Sequence, residues 1–199
     1  MRTKITIPYY HVDAFTNHVF SGNPAGVCPL EKWPDDSILQ KSATENNLSE
    51  TAFFVRNKDD IELRWFTPKI EIDLCGHATL ASAFVLFNQL GVTSENVSFS
   101  TRSGVLTVSR KNNLLEMDFP ARPGEPVVAP DALIKAFGKN FTEVYKSRDY
   151  LVVLENEDEV RYMQPGLQEL SKLDCTGVIM AAKGRYVDFI SRFFAPRVG

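Results

Sequence analysis

Residues 73–91 read DLCGHATLASAFVLFNQLG, and they give the strongest indication of the fold. From Ala78 to Leu90, apolar side chains fall on nearly every side of a helix, whereas a surface helix keeps one polar face. A helix of about thirteen residues is too short to cross a bilayer, so we expect it to be buried inside protein. Gly91 provides the left-handed residue at which such a helix ends. The sequence therefore predicts a central helix over residues 77–90.

The start of this helix has the features of a binding site. Cys75, Gly76 and His77 stand where the chain passes from a strand into the helix. The amides of a helix's first turn have no partner within the helix, and the helix dipole makes this end positive. Gly76 has no side chain, so an anionic ligand can approach the backbone closely. We interpret this turn as the floor of a site on a buried helix.

Short alternating runs on both sides of the central helix are typical of β-strands. The runs are residues 3–15, 25–30, 51–55, 61–66, 96–101, 104–110 and 114–119. A further helix is expected from Pro34 to about Asn46, because Pro-Asp-Asp-Ser is a typical helix start. In the run 104–110, the alternation places Val105 and Thr107 together. Strands joined by Gly or Asn turns predict a mostly antiparallel sheet that curves around the helix.

The remaining sequence predicts a linker and a second domain. Residues 120–130 contain four prolines and one glycine, which favours a linker between a domain at 1–119 and another at 131–199. In the second domain we expect a helix at 131–137 and one or two helices in the acidic segment 156–173. Its expected strands lie near 141–146, 150–154, 177–182 and 187–194.

The second domain contains no further helix that is apolar all round. Its strands nevertheless carry apolar side chains that need a cover, because a large exposed apolar face is unusual on a soluble monomer. These side chains are Val144, Val152, Leu154, Val178, Ile179, Ile190 and Phe193. We expect either the segment 157–173 or a second copy of the chain to cover them.

Composition and charge exclude several classes of protein. The 199 residues are 44% hydrophobic and 24% charged, as in ordinary globular proteins, and the net charge is −3. Since there is no basic cluster, we expect neither nucleic acid nor a membrane as a partner. Cys28, Cys75 and Cys175 are odd in number and form no CxxC pair, and the amino terminus has no signal-peptide run. These features favour a reduced, cytoplasmic compartment.

The sequence contains no recognisable metal or cofactor motif. Its three histidines, His11, His18 and His77, do not have HxxxH spacing, although a site made only of carboxylates stays open. The GxGxxG, P-loop and lysine-centred cofactor motifs are also missing from the sequence. We therefore expect chemistry that needs neither a cofactor nor a metal ion.

Four segments together carry a resemblance to a known family. They are GNPAGV at 22–27, ATENNLSETAFF at 43–54, RWFTPKIEIDLCGHATLASAFVLF at 64–87 and RFFAP at 192–196. With them the chain resembles the PhzF family of phenazine-biosynthesis-like proteins, which shares the fold of diaminopimelate epimerase. The resemblance implies an α+β fold with two similar domains, each a curved, mostly antiparallel sheet around a central helix. It also implies an active site in the cleft between the domains, and a homodimer.

The family pattern continues beyond the last of these segments. In the family, the run like RFFAP is followed by an EDPVTGSAH-like segment that begins the second central helix. Here the sequence ends at Gly199, so the resemblance implies a truncated chain whose second domain is incomplete. The implied function is a cofactor-independent isomerase that moves a proton at an activated carbon of a small carboxylic acid. The alternative is a catalytically incomplete short form that acts as a ligand-binding or protein-interaction module.

Glu45 is the residue to which the resemblance assigns the general acid/base. A carboxylate in a partly dry cleft has a raised pKa and can both take and return a proton. From its spacing alone, Glu45 would be a solvated glutamate at a helix end, but the match of ATENNLSE to the family reverses this interpretation. Glu50 is the other candidate carboxylate, and we expect it to make structural hydrogen bonds. His77 stands where the helix dipole disfavours the imidazolium, so we expect a neutral ring that binds the substrate. We predict that Glu45, Cys75 and His77 line one cleft, with Glu45 and His77 facing the same void.

Five further residues complete the predicted site. Gly76 and Ala78 would offer backbone amides to a substrate carboxylate. Asn23 and Ser49 are polar ligands if the family pattern holds, or turn-forming residues if it does not. A cysteine at the position of Cys75 is one of two bases in diaminopimelate epimerase, but a buried packing role is the commoner fate of a free cysteine, and we favour it.

Overall fold

A computed structural model describes residues 6–58 and 60–198 of the chain. The chain forms two units, Met1–Pro120 and Ala121–Gly199, each with a hydrophobic core of its own. The first predicted strand begins at residue 3, and its residues 3–5 lie outside the described residues. The strand that the structure describes in this region is β1, Tyr10–Ala14.

The first unit is a curved sheet with two helices. In chain order its elements are β1, β2 (Asn23–Leu30), α1 (Asp36–Asn46), β3 (Glu50–Arg56), β4 (Ile61–Phe66), β5 (Glu71–Ile72), α2 (Gly76–Asn88), β6 (Asn96–Thr101), β7 (Gly104–Lys111) and β8 (Leu114–Met117). The order in the sheet is β1-β2-β3-β4-β6-β7-β8, and β5 pairs with β4. Most pairs are antiparallel, as predicted, whereas β2–β3 and β4–β6 are parallel. These two connections contain α1 and α2, because parallel strands need a long crossover.

Helix α2 is the centre of the first unit, and its buried residues lie on nearly every side. They are His77, Ala78, Thr79, Ala81, Ser82, Ala83, Val85, Leu86 and Phe87. The helix packs against β1, β2, β3 and β8, and since β1 and β8 are at opposite ends of the sheet, the sheet has to curve around it. The helix ends at Asn88 with Gln89 as its C-cap, and Gly91, two residues further on, has the predicted left-handed backbone (φ +68°). The predicted α+β architecture is confirmed, and no helix of the described residues has the length and apolar character of a membrane span.

Two details of the first unit could not be taken from the apolar pattern. Phe84 is 42% exposed although α2 is apolar all round. In β7, Val105 and Thr107 share one face as predicted, and that face is exposed, whereas Leu106 and Val108 point into the core. The pairing with β6 sets this orientation, because the two inward residues lie opposite buried residues of that strand.

The second unit is a five-stranded sheet with three helices in the described residues. Its elements are β9 (Glu125–Pro126), α3 (Asp131–Phe137), β10 (Val144–Lys146), β11 (Tyr150–Val153), α4 (Glu157–Tyr162), α5 (Leu167–Leu170), β12 (Val178–Lys183) and β13 (Phe189–Phe194). The sheet order is β13-β12-β11-β10-β9. β9 lies inside the segment predicted as a linker, because the extended backbone of a proline-rich segment also suits a short edge strand.

The three helices of the second unit cover one face of its sheet. Side chains from α3, α4, α5 and the residues that follow α5 share a buried cluster with strand residues such as Val152 and Met180. Of the two covers that we expected, the segment 157–173 is the one that the structure shows on this face. Phe193 does not take part in this core, since alternation along β13 turns it to the other face, where it is 54% exposed. Ile179 alternates in the same way with the buried Val178 and Met180.

Candidate active site

The candidate site lies where the start of α2 meets the start of β3 in the first unit. Cys75 precedes α2 with an extended backbone (φ −146°), and Gly76 is the first residue of the helix. Glu50 is the first residue of β3 and lies opposite Ala25 of the parallel strand β2. The site therefore combines the N-terminus of a buried helix with the start of a strand that is distant in sequence.

Three side chains of different chemistry come together here. Cys75 Sγ is 3.5 Å from His77 Nδ1, and Glu50 Oε2 is 3.3 Å from His77 Nε2. One ligand atom from each residue falls within 4.8 Å of the other two. Cys75 and His77 are 6% and 8% exposed, whereas the Glu50 side chain is 19% exposed and forms the more open edge. We call this group the Glu50–Cys75–His77 cluster.

Burial favours the neutral form of each member of the cluster. It raises the pKa of Glu50, although a hydrogen bond with Cys75 opposes the rise. It also raises the pKa of the Cys75 thiol, and the neighbouring Glu50 carboxylate adds to this effect. Burial lowers the pKa of His77, with the Pro24 carbonyl opposing the shift. We predicted a neutral imidazole from the helix dipole, and burial lowers the pKa of His77 in the same direction.

His77 Nε2 is an unpaired polar atom in this environment. It is buried, and in the part of the chain that the structure describes no atom meets hydrogen-bonding geometry with it. Glu50 Oε2 is close enough for an ion pair, but a neutral imidazole cannot form one. Because a buried nitrogen without a partner costs free energy, a bound ligand that pairs with this atom would be stabilised.

Glu45 stands apart from the cluster. It lies in the last turn of α1 with an exposed side chain, and within residues 6–58 and 60–198 no hydrogen bond or ion pair holds that side chain. Ser49 is also exposed, in the turn between the left-handed Asn47 (φ 50°) and β3. The structure brings together Cys75 and His77 of the predicted site, and the expectation that Glu45 and His77 face one void stays a prediction.

The other predicted site residues lie at or near the start of the two elements. Gly76 is half-buried, and a Cβ there would approach other atoms no closer than 3.7 Å, so packing within the chain does not require a glycine. Ala78 is fully buried, and its amide acts to lower the pKa of the Cys75 thiol, so this amide is directed at the sulfur. Asn23 is half-buried at the start of β2.

Glu50 is the member of the cluster that was not predicted as a site residue. The spacing of positions 50 and 75 in the sequence does not indicate that the two residues are close, because their contact depends on where β3 lies in the sheet. The β2–α1–β3 order was the one indication that the sequence offered. A parallel pairing of β2 and β3 places the start of β3 beside the start of β2.

Known proteins resemble this chain in sequence and in fold. A family model described as phenazine biosynthesis-like protein (PhzC-PhzF) matches residues 12–199. A protein of Pseudomonas aeruginosa named as an uncharacterized isomerase is 50% identical over 190 residues, which are 96% of this chain and 73% of that protein. A PhzF-family crystal structure from Enterococcus faecalis has a TM-score of 0.89 and 47% identity, and the match covers 97% of this chain and 75% of that one. A hydroxyproline epimerase from Agrobacterium vitis, at 7% identity and a TM-score of 0.58, covers 94% of this chain and 69% of that one, and shares the fold alone.

Proposed function

Because the chain belongs to the PhzC-PhzF family of phenazine biosynthesis-like proteins, we propose that it is a cofactor-independent isomerase. In this proposal it moves a proton at an activated carbon of a small carboxylic acid. The relative of 50% identity that is named an isomerase supports the reaction class. The start of α2 supports the class of substrate.

The observation that carries the proposal is the buried, unpaired Nε2 of His77. A neutral imidazole at this position offers one hydrogen bond to a hydroxyl or amino group of a ligand. The amides of Gly76 and His77 belong to the first turn of α2, where the helix leaves its N–H groups unpaired and its dipole is positive. A small acid would bind with its carboxylate at these amides and its neighbouring polar group at His77.

We assign the proton transfer to Glu45, on the motif that carries the family resemblance. Its carboxylate would take the proton from the activated carbon, and the electron pair of that C–H bond would be delocalised over the adjacent unsaturated system. The resulting carboxylic acid would return the proton to another carbon of the same molecule. The step is balanced without an oxidant or a reductant. Since Glu45 is exposed in the free chain, the proposal requires that bound substrate excludes water from it.

Proton exchange in deuterium oxide tests this function across a panel of candidate substrates. A set of small carboxylic acids that carry a C–H bond next to a double bond is incubated with the protein, and NMR follows deuterium incorporation and isomer formation. We expect the Glu45→Gln variant to lose nearly all exchange, because an amide keeps the shape of the side chain but cannot take the proton.

Glu31→Gln is the matched control, since Glu31 is an exposed glutamate of the same unit. It should exchange at the rate of the unchanged protein. Exchange that survives Glu45→Gln would remove Glu45 from the role of acid/base. Failure of every acid that binds to exchange a proton would reject the isomerase proposal.

The family resemblance also implies a homodimer, which stays part of the proposal. Sedimentation equilibrium at several protein concentrations measures the mass of the assembly. A monomer at all concentrations would contradict it.

A further inference from the structure

The Glu50–Cys75–His77 cluster presents a thiol, an imidazole and a carboxylate at one point. In the part of the chain that the structure describes, it is the one group of three such side chains close enough to share an ion. Thiolate and imidazole ligands favour zinc and similar soft divalent cations over magnesium and calcium. We propose that this cluster is a binding site for a soft divalent cation, with zinc as the test ion.

The distance between the two buried ligand atoms fits one tetrahedral ion. Zinc binds cysteine sulfur at about 2.3 Å and histidine nitrogen at about 2.0–2.1 Å, so two such ligands at the tetrahedral angle are roughly 3.5 Å apart. Cys75 Sγ and His77 Nδ1 are 3.5 Å apart. The separation of the pair is therefore the one that a shared tetrahedral ion requires.

Glu50 supplies the third ligand in this proposal. One of its carboxylate oxygens lies within 4.8 Å of Cys75 Sγ and of a ring nitrogen of His77. Its side chain is the most exposed of the three. At the open edge, the Glu50 side chain can rotate so that its carboxylate reaches the ion. This edge is also the path by which the ion enters. Water would occupy the fourth position, as in zinc sites with three protein ligands.

The state of His77 gives independent support. The ring is about nine-tenths buried, and Nε2 has no hydrogen-bond partner within the described residues. With the ion on Nδ1, the ring proton is held on Nε2, which faces Glu50 Oε2 at a distance of 3.3 Å. Metal-bound histidines are commonly oriented by such a contact to the second nitrogen.

Binding exchanges a proton for the ion. The Cys75 thiol loses its proton to solvent as the metal–sulfur bond forms, and the neutral imidazole uses its Nδ1 electron pair. Bound zinc therefore replaces a protonated thiol by a thiolate whose charge the cation neutralises.

Cobalt substitution tests the site directly and needs no substrate. The reduced, metal-free protein is titrated with Co²⁺, and the thiolate-to-cobalt charge-transfer absorption in the near ultraviolet reports coordination by cysteine. We expect this absorption to appear at one ion per chain and to disappear when zinc is added. Cys75→Ser should abolish it, and Glu50→Gln should weaken binding by at least about ten-fold.

Cys175→Ser is the matched control, because Cys175 is a free cysteine of the second unit and should leave the absorption unchanged. Thermal unfolding of each metal-free variant shows which of them are folded, and His77→Gln replaces Cys75→Ser if the latter does not fold. No charge-transfer absorption in the unchanged protein would overturn the proposal. Absorption that survives Cys75→Ser, or cobalt binding that Glu50→Gln does not weaken, would overturn it as well. Loss of isomerase activity alone would leave these measurements unaffected.

Discussion

Replacement of Leu86 by alanine tests how far the first unit depends on its central helix. Leu86 is fully buried in α2 and belongs to the hydrophobic core of the first unit. The change removes about three carbon atoms, equivalent to ~2.4 kcal/mol at ~0.8 kcal/mol for each. The cavity left behind adds about 1 kcal/mol. We therefore expect the free energy of unfolding of the first unit to fall by about 3–4 kcal/mol.

Phe84→Ala on the same helix is the matched comparison. Phe84 is 42% exposed, so its ring is already partly in water in the folded protein. Alanine is also a better helix former than phenylalanine, which offsets part of the loss. We expect a decrease of about 1 kcal/mol, although the substitution removes more atoms than Leu86→Ala does.

Urea unfolding monitored by tryptophan fluorescence measures both variants. The two tryptophans, Trp33 and Trp65, lie in the first unit, so the signal reports that unit. With a denaturant slope of about 1–3 kcal/mol per molar, Leu86→Ala should lower the midpoint by about 1 M or more. Equal losses for the two variants, or a loss below about 1 kcal/mol for Leu86→Ala, would refute the view that α2 is the buried centre.

Two further predictions concern the candidate site. The pKa of His77 in the folded protein lies below its ordinary value of 6.5, so the unfolded chain binds the proton first as pH falls. The free energy of unfolding is therefore unaffected by this group above about pH 6.5 and decreases as pH falls from there toward the folded-state pKa. His77→Gln should remove this part of the pH dependence. Urea midpoints of the variant and of the unchanged protein, measured between neutral pH and about pH 5, test this. The same dependence of the midpoint on pH in both proteins would contradict the burial of a neutral ring. In the native, metal-free protein, an alkylating reagent should modify Cys175 before Cys28 and Cys75, because the latter two are buried and burial raises the pKa of Cys28 to about 12. Peptide mass spectrometry measures the order, and early labelling of Cys75 would show that the start of α2 is open to solvent.

Elements with a strong local pattern were predicted closely. Helix α2 was expected over 77–90 and lies at Gly76–Asn88, because its apolar pattern and the glycine that follows are both local features. Helix α3 and strand β4 have the predicted bounds for the same reason. The short motifs that carry the family resemblance are likewise strings of neighbouring residues, and the family is confirmed.

The face that a strand buries and the partners that a side chain meets could not be predicted in the same way. Val105 and Thr107 share a face by alternation, but only the pairing with β6 turns that face to solvent. Phe193 is apolar, yet its position on β13 places it away from the helices of its unit. In both cases alternation divides a strand into two faces without saying which of them the rest of the chain covers.

From the sequence we predicted the buried helix, the strands around it, the family, and Cys75 and His77 as neighbours at a helix start. The distance of 3.3 Å between Glu50 and His77, and the burial that lowers the pKa of His77 and leaves Nε2 unpaired, are seen only in the folded chain. Helix periodicity and strand alternation are patterns of near neighbours in the chain, so they can be read locally. The contacts and the burial of the site depend instead on the order in which distant strands pair.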